Sequence, residues 1–160
     1  MTASGVDVLA PPSLGSISDG VHRSTLRVYV EDTDAGGIVY HAKYLHFFER
    51  SRTQLLASLG YGLSTLMQRG SADYRAFVVR RADVRYIAPA RLDDVLVTET
   101  RIARLGRASI DFDQRIRRGS EEIAAGVIYV GCIDASGRPR PLPAGMGPSL
   151  GEILPSTFNR

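Results

Sequence analysis

The chain has 160 residues, 44% of them apolar and 23% charged, the length and polarity of one globular domain able to bury its own core. Its single cysteine, Cys132, excludes an internal disulfide and any multi-cysteine zinc site. Of 20 basic residues only Lys43 is lysine, so 19 arginines carry the net charge of +3. Composition explains such a bias, and so does anion binding, since guanidinium forks suit phosphate and do not titrate away.

Residues 1–22 are rich in Ser, Gly, Pro and Asp and show no apolar period, so a flexible extension is expected. They contain no basic stretch followed by an apolar one, and no apolar run approaches the roughly 20 residues of a membrane span. A cytoplasmic protein is therefore expected. Residues 141–160 hold four prolines and three glycines and read as a second loose tail. The folded unit is placed at 23–140, with 19 of the 20 basic and 14 of the 17 acidic residues.

Leu26, Val28 and Val30 alternate with Arg27, Tyr29 and Glu31, the period of a half-buried strand. Beyond Gly36–Gly37, apolar residues at 44, 45, 48, 55, 56 and 59 form a broad stripe on a helix of about 17 residues, closed by Gly60. A shorter helix is expected over 63–69. Four strands follow, at 77–88, 95–105, 109–118 and 122–134, joined by short polar turns and hence antiparallel. One long helix and about five strands predict an α+β domain whose sheet covers the helix.

The chemistry concentrates between the first strand and the helix, in Glu31-Asp32-Thr33-Asp34-Ala35-Gly36-Gly37-Ile38-Val39-Tyr40-His41. Asp34 is a carboxylate at the start of a loop, and Gly36 and Gly37 permit close backbone approach or positive φ. The helix then opens near His41 without a Ser, Thr, Asp or Asn cap, leaving N–H groups at its positive end to polarise a carbonyl oxygen. Asp32 reads as structural. His41, His46 and Glu49 lack zinc-site spacing, so no metal is assigned. There is no nucleophile elbow, and Cys132 in its apolar strand reads as a buried, inert thiol.

The run RVYVEDTDAGGIVYHAKYLHFFERSRTQLL (27–56), continued by AFVVRRADVRYIAPARLDD (76–94), resembles the hotdog-fold acyl-CoA thioesterases of the 4-hydroxybenzoyl-CoA thioesterase family, and within it the YbgC-type branch associated with the Tol–Pal system. The resemblance spans about residues 25–140. It implies a central helix wrapped by a five-stranded antiparallel sheet, and a homodimer or homotetramer with active sites between protomers. It implies hydrolysis of an acyl-CoA, or of an acyl group on acyl carrier protein, with no cofactor beyond the coenzyme A of the substrate. Asp34 matches the catalytic carboxylate, as nucleophile or general base. His41 matches the helix N-terminus that polarises the thioester carbonyl, with its side chain also taking part. Gly36, Gly37 and Tyr40 of the same motif are expected to bind substrate. Arg104, Arg107 and Ser109, with Arg91 in another turn, match regions that bind coenzyme A phosphates, although Gly106 and Ala108 replace basic residues of some relatives. Some relatives carry an active-site tyrosine where this chain has Val30, and Tyr29 is no substitute, since adjacent strand residues point to opposite faces.

Three other readings compete. A hotdog dehydratase would place its carboxylate on the helix, whereas Asp34 precedes it. A non-catalytic acyl-binding or scaffold protein of the cell-envelope machinery would not need Asp34, Gly36, Gly37 and His41 together. A nucleic-acid module would show a basic helix or an aromatic RNP-like motif.

Overall fold

The computed structural model describes residues 13–154. In chain order they form β1 (Ser16–Ser18), β2 (Val21–Arg27), a 3₁₀ turn (Val30–Asp32), α1 (Lys43–Ser58), α2 (Leu63–Leu66), β3 (Ala76–Tyr86), β4 (Val95–Leu105), β5 (Ser109–Arg118), β6 (Glu121–Ile133) and α3 (Met146–Gly151). The strands make one antiparallel sheet in the order β1-β2-β4-β5-β6-β3. The sheet curls around α1, as the sequence predicts for an α+β domain, with six strands in place of five.

The helix exists because its apolar residues recur at helical spacing and bury one side. Tyr44, Phe47, Phe48, Leu55 and Leu56 face the sheet, where Leu96, Ile102, Phe112, Ile116, Ile123 and Ile128 meet them. Removing a ring from this layer, as in Phe48→Ala, costs about 3–5 kcal/mol through lost burial and the cavity left behind. Gly60, at φ +88, ends the helix in a left-handed turn that a side chain would strain.

Three expectations are corrected. The predicted extension 1–22 is partly sheet: β1 and the start of β2 lie within it, and His22 is fully buried. Residues 1–12 lie outside the described residues. β1, with the sequence SerIleSer, is too short and polar to show a period, and only its pairing with β2 makes it a strand. The predicted tail 141–160 likewise contains α3, whose Met146 and Leu150 are fully buried core residues. Gly145, at φ +81, opens that helix, and Gly147 and Gly151 lie within it, while residues 155–160 lie outside the described residues. The first strand runs over 21–27 and not to Val30. The buried Asp32 carboxylate accepts the Tyr29 N–H at 2.9 Å and folds the chain into the 3₁₀ turn.

The antiparallel order gives the sheet two distinct ends. Arg27 pairs with Val95, so the end of β2, the start of β4 and the loop carrying Asp34 lie together, as do the end of β3 at Tyr86 and the start of β6. The β4–β5 hairpin, 106–108, lies at the other end, beside the start of β3 and the end of β6. The eleven residues of β4 separate the two ends by roughly 35 Å.

Candidate active site

The loop before α1 is a narrow turn held by its own backbone. The Asp34 N–H donates to the Ile38 carbonyl and the Gly37 N–H to the Asp34 carbonyl, both at 3.0 Å, with Thr33 bridged to Val39. Gly37 sits at φ +74, where a side chain would be strained. The Gly36 N–H donates to Asp34 Oδ1 at 2.7 Å, and a Cβ on Gly36 would stand 3.0 Å from that oxygen. Gly36 thus holds the Asp34 carboxylate, which is exposed, while Gly37 closes the turn that presents it.

Asp32 does different work two residues earlier. It is 1% exposed, holds the Tyr29 N–H, and lies 3.3 Å from the Nζ of Lys43, the only lysine, in the first turn of α1. The Tyr40 N–H also donates to the Asp32 carbonyl at 2.8 Å. Asp32 therefore joins the loop to the helix, the structural role read from the sequence.

The helix opens as expected, with no side-chain cap and no acidic residue in its first turn. Among the described residues the backbone N–H of His41 meets no acceptor, so it remains available at the positive end of the helix dipole. The His41 ring is exposed, with its centroid 4.4 Å from that of Tyr40 and 6.3 Å from that of Tyr86 at the far end of β3. Beside it lies an open cleft of about 360 Å³, lined by Ile38, Val39, His41, Tyr44, Tyr86 and the 87–89 turn. Tyr44 is buried, its hydroxyl accepts the Ala90 N–H at 3.2 Å, and burial pushes its pKa up. It is a neutral anchor tying the 88–94 loop to the helix. A second tie runs from the Val39 N–H to the Ala90 carbonyl at 2.8 Å.

Asp34, Gly36, Gly37, Tyr40 and His41 thus occupy one turn and one helix start, and Arg91 lies in the adjoining loop, where its N–H donates to Asp94 at 2.8 Å. Arg104, Arg107 and Ser109 do not join them; they flank the hairpin at the other end of the sheet. Arg91, Arg104 and Arg107 are exposed and, among the described residues, form no ion pair. Most other arginines of the outer sheet face are engaged with carboxylates, as in Arg23–Glu99–Arg117 and Asp94–Arg118–Glu121. Cys132 is buried, and burial raises its thiol pKa, as an inert core residue requires.

Val30 is exposed in the 3₁₀ turn, and so is Tyr29, because β2 has already ended. The alternation of strand faces therefore does not govern this pair. Sequence reading missed Tyr44, Tyr86 and Pro89 as cleft residues. Tyr44 belonged to the helix's apolar stripe, while Tyr86 and Pro89 are more than forty positions from Asp34 and reach the cleft only through strand pairing.

Residues 36–125 match the Thioesterase superfamily. The acyl-CoA thioesterase YbgC of Haemophilus influenzae is 44% identical over 109 residues, 68% of this chain and 78% of that protein. The acyl-CoA thioester hydrolase YbgC of Escherichia coli O157:H7 is 44% identical over 123 residues, 76% of this chain and 89% of that protein. The crystal structure of the "Probable Thioesterase" from Bartonella henselae superposes with a TM-score of 0.74 at 37% identity, covering 77% of this chain and 99% of that one. With its helix-wrapping sheet and the Asp34–His41 loop at the helix start, the chain belongs to the thioesterase superfamily, as a hotdog-fold thioesterase of the YbgC type.

Proposed function

We propose that the protein hydrolyses acyl-CoA thioesters to a free acid and coenzyme A, at a site completed by a second copy of the chain. The observation that carries this reading is the joint placement of the Asp34 carboxylate and the free His41 N–H on a turn whose other limb, Ile38 and Val39, lines an apolar cleft. The acyl group lies in the cleft and its carbonyl oxygen accepts the His41 N–H, where the helix dipole stabilises the developing oxyanion. Asp34 either takes a proton from water as the water oxygen attacks the carbonyl carbon, or attacks it directly to give a mixed anhydride that water then cleaves. On both routes the C–S bond breaks and the thiolate leaves without strong acid assistance. The His41 ring, held between Tyr40 and Tyr86, shields the carbonyl from the solvent side.

A second copy is called for by distance. Arg104, Arg107 and Ser109 stand roughly 35 Å from the Asp34 end of their own sheet, too far to share one coenzyme A with it. β3 is an edge strand of eleven residues with Val78, Val79 and Tyr86 exposed. Unpaired, it is a template for another strand. Two copies joined antiparallel along β3 form one continuous sheet, in which the 104–109 turn of each lies at the same end as the partner's Asp34 loop. Arg104 and Arg107 then bind coenzyme A phosphates, with Arg91 beside the cleft. An acyl group on the phosphopantetheine arm of acyl carrier protein presents the same thioester.

The test is thiol release from a panel of acyl-CoAs and acyl carrier proteins. Asp34→Asn is expected to lower kcat by about 10²–10⁴ with its fold intact, because an amide oxygen still accepts the Gly36 N–H. Activity that survives the substitution refutes the role of Asp34. Absence of release by the wild type from every thioester favours a binding or scaffold protein of the cell envelope.

A further inference from the structure

Arg52 is a charged side chain in the core with little to hold it there. It lies on the sheet-facing side of α1, 9% exposed, and donates from Nη1 to Gln114 Oε1 at 2.8 Å. Its guanidinium lies over the Phe112 ring, 5.9 Å from the centroid. Gln114 is fully committed, its Nε2 donating to the Phe48 carbonyl and the Thr100 hydroxyl. Among the described residues no carboxylate reaches ion-pair distance of Arg52. Glu49 influences it only through space, and burial lowers its pKa to about 10. A buried charge with one neutral partner is costly unless something else compensates it.

The guanidinium borders a small pocket of about 70 Å³ between α1 and β3, walled by Leu56, Leu63, Phe77, Phe112 and Val130. It is also lined by Glu49, whose Oε1 accepts the Thr53 hydroxyl at 2.8 Å, and by Val79 on the free edge strand. The Arg52 donors not used by Gln114 have no other acceptor among the described residues. The pocket thus pairs apolar walls with one largely buried cation whose remaining donors are open to a ligand, and its volume admits a carboxyl group.

We propose that this pocket receives a carboxylate at the far end of the acyl group, with Arg52 as its counter-ion, so that the enzyme is built for ω-carboxylated acyl thioesters. This rests on the thioesterase reading above and specifies its substrate. Eleven residues separate Arg52 from His41, about 16 Å along the helix, so a fixed cation there measures a fixed distance from the reacting carbonyl.

The experiment compares kcat/KM for α,ω-dicarboxylic mono-CoA thioesters, from succinyl to tetradecanedioyl, with length-matched monocarboxylic acyl-CoAs. The wild type is expected to prefer the ω-carboxylated chain by about tenfold or more at one length, with the preference falling on either side. Arg52→Met is expected to remove that peak, read as a fall of the ω-carboxylated to monocarboxylic kcat/KM ratio to about one at every length. If Arg52→Met does not fold, the wild-type length series decides alone. A ratio at or below one at every length overturns the proposal, as does a peak that persists in folded Arg52→Met. Failure to hydrolyse any acyl thioester would instead defeat the thioesterase reading.

Discussion

Two aspartates two positions apart have opposite relations to solvent, and this sets what each can do. Asp34 is exposed and, among the described residues, its carboxylate accepts a hydrogen bond only from the backbone of its own turn, which leaves it open to solvent. Asp32 is buried, and three contacts depend on it: the Tyr29 N–H, the Lys43 ammonium and, through its carbonyl, the Tyr40 N–H. Asp32→Asn is expected to destabilise the protein by about 2 kcal/mol, read from the midpoint of urea unfolding, because a neutral amide leaves Lys43 without its counter-ion. Asp34→Asn should leave that midpoint unchanged and lower kcat by about 10²–10⁴. The pair of measurements separates a scaffold carboxylate from a working one, and a large stability loss in Asp34→Asn would contradict the assignment.

At the scale of elements, the β1–β2 hairpin shows how a polar segment becomes structure. His22 is fully buried and its Nε2 donates to the Leu14 carbonyl at 2.6 Å, pinning the strand that precedes it. Among the described residues its Nδ1 is buried without a partner, and burial lowers the pKa below 6.5. The unfolded chain therefore takes up the proton at a higher pH than the folded one. The stability contributed by neutral His22 is complete above about pH 6.5 and falls as the pH drops toward the lower folded value. Unfolding midpoints measured from pH 8 to 5 should decline more steeply in the wild type than in His22→Gln, which keeps a donor but does not titrate. Equal slopes would show that His22 is not the group responsible. Gly15 belongs to the same device, at φ +85 with a Cβ position that would run into the Arg23 carbonyl, so Gly15→Ala is expected to unseat β1.

At the scale of the whole molecule, the proposed pairing along β3 makes each active site a product of two chains. An equal mixture of Asp34→Asn and Arg107→Ala chains, unfolded and refolded together, would then place one intact site in each mixed dimer. Activity at low acyl-CoA concentration should recover to about a quarter of the wild-type value, while either variant refolded alone stays low. No recovery would mean that Asp34 and Arg107 serve a site within one chain or that Arg107 binds no substrate. Sedimentation of the wild type should show at least twice the 17.4 kDa of one chain.

The long helix and the β4–β5 pair were legible because interior packing imposes a period on sequence. The expected strands 95–105 and 109–118 coincide with β4 and β5, and Gly60 marks the helix end as expected. The loop of Asp34, the two glycines and His41 was legible for another reason, because its residues lie within eight positions of one another and form the motif that carries the family resemblance. β1 and α3 were not, since three polar residues and a proline-containing single turn become regular only when the core accepts Met146 and Leu150 and β2 offers an edge. Nor could sequence place Tyr86 and Pro89 against His41, put the Arg104–Ser109 turn at the far end of the sheet, or set Arg52 in the wall of a pocket. Those relations depend on strand order and on which side of a helix is buried. By itself the sequence determined what local forces decide: helical period, strand alternation, turn glycines and the loop between the first strand and the helix. Only the tertiary structure decided which distant residues share a surface, because contacts between remote positions arise from closing the chain on itself and leave no local pattern behind.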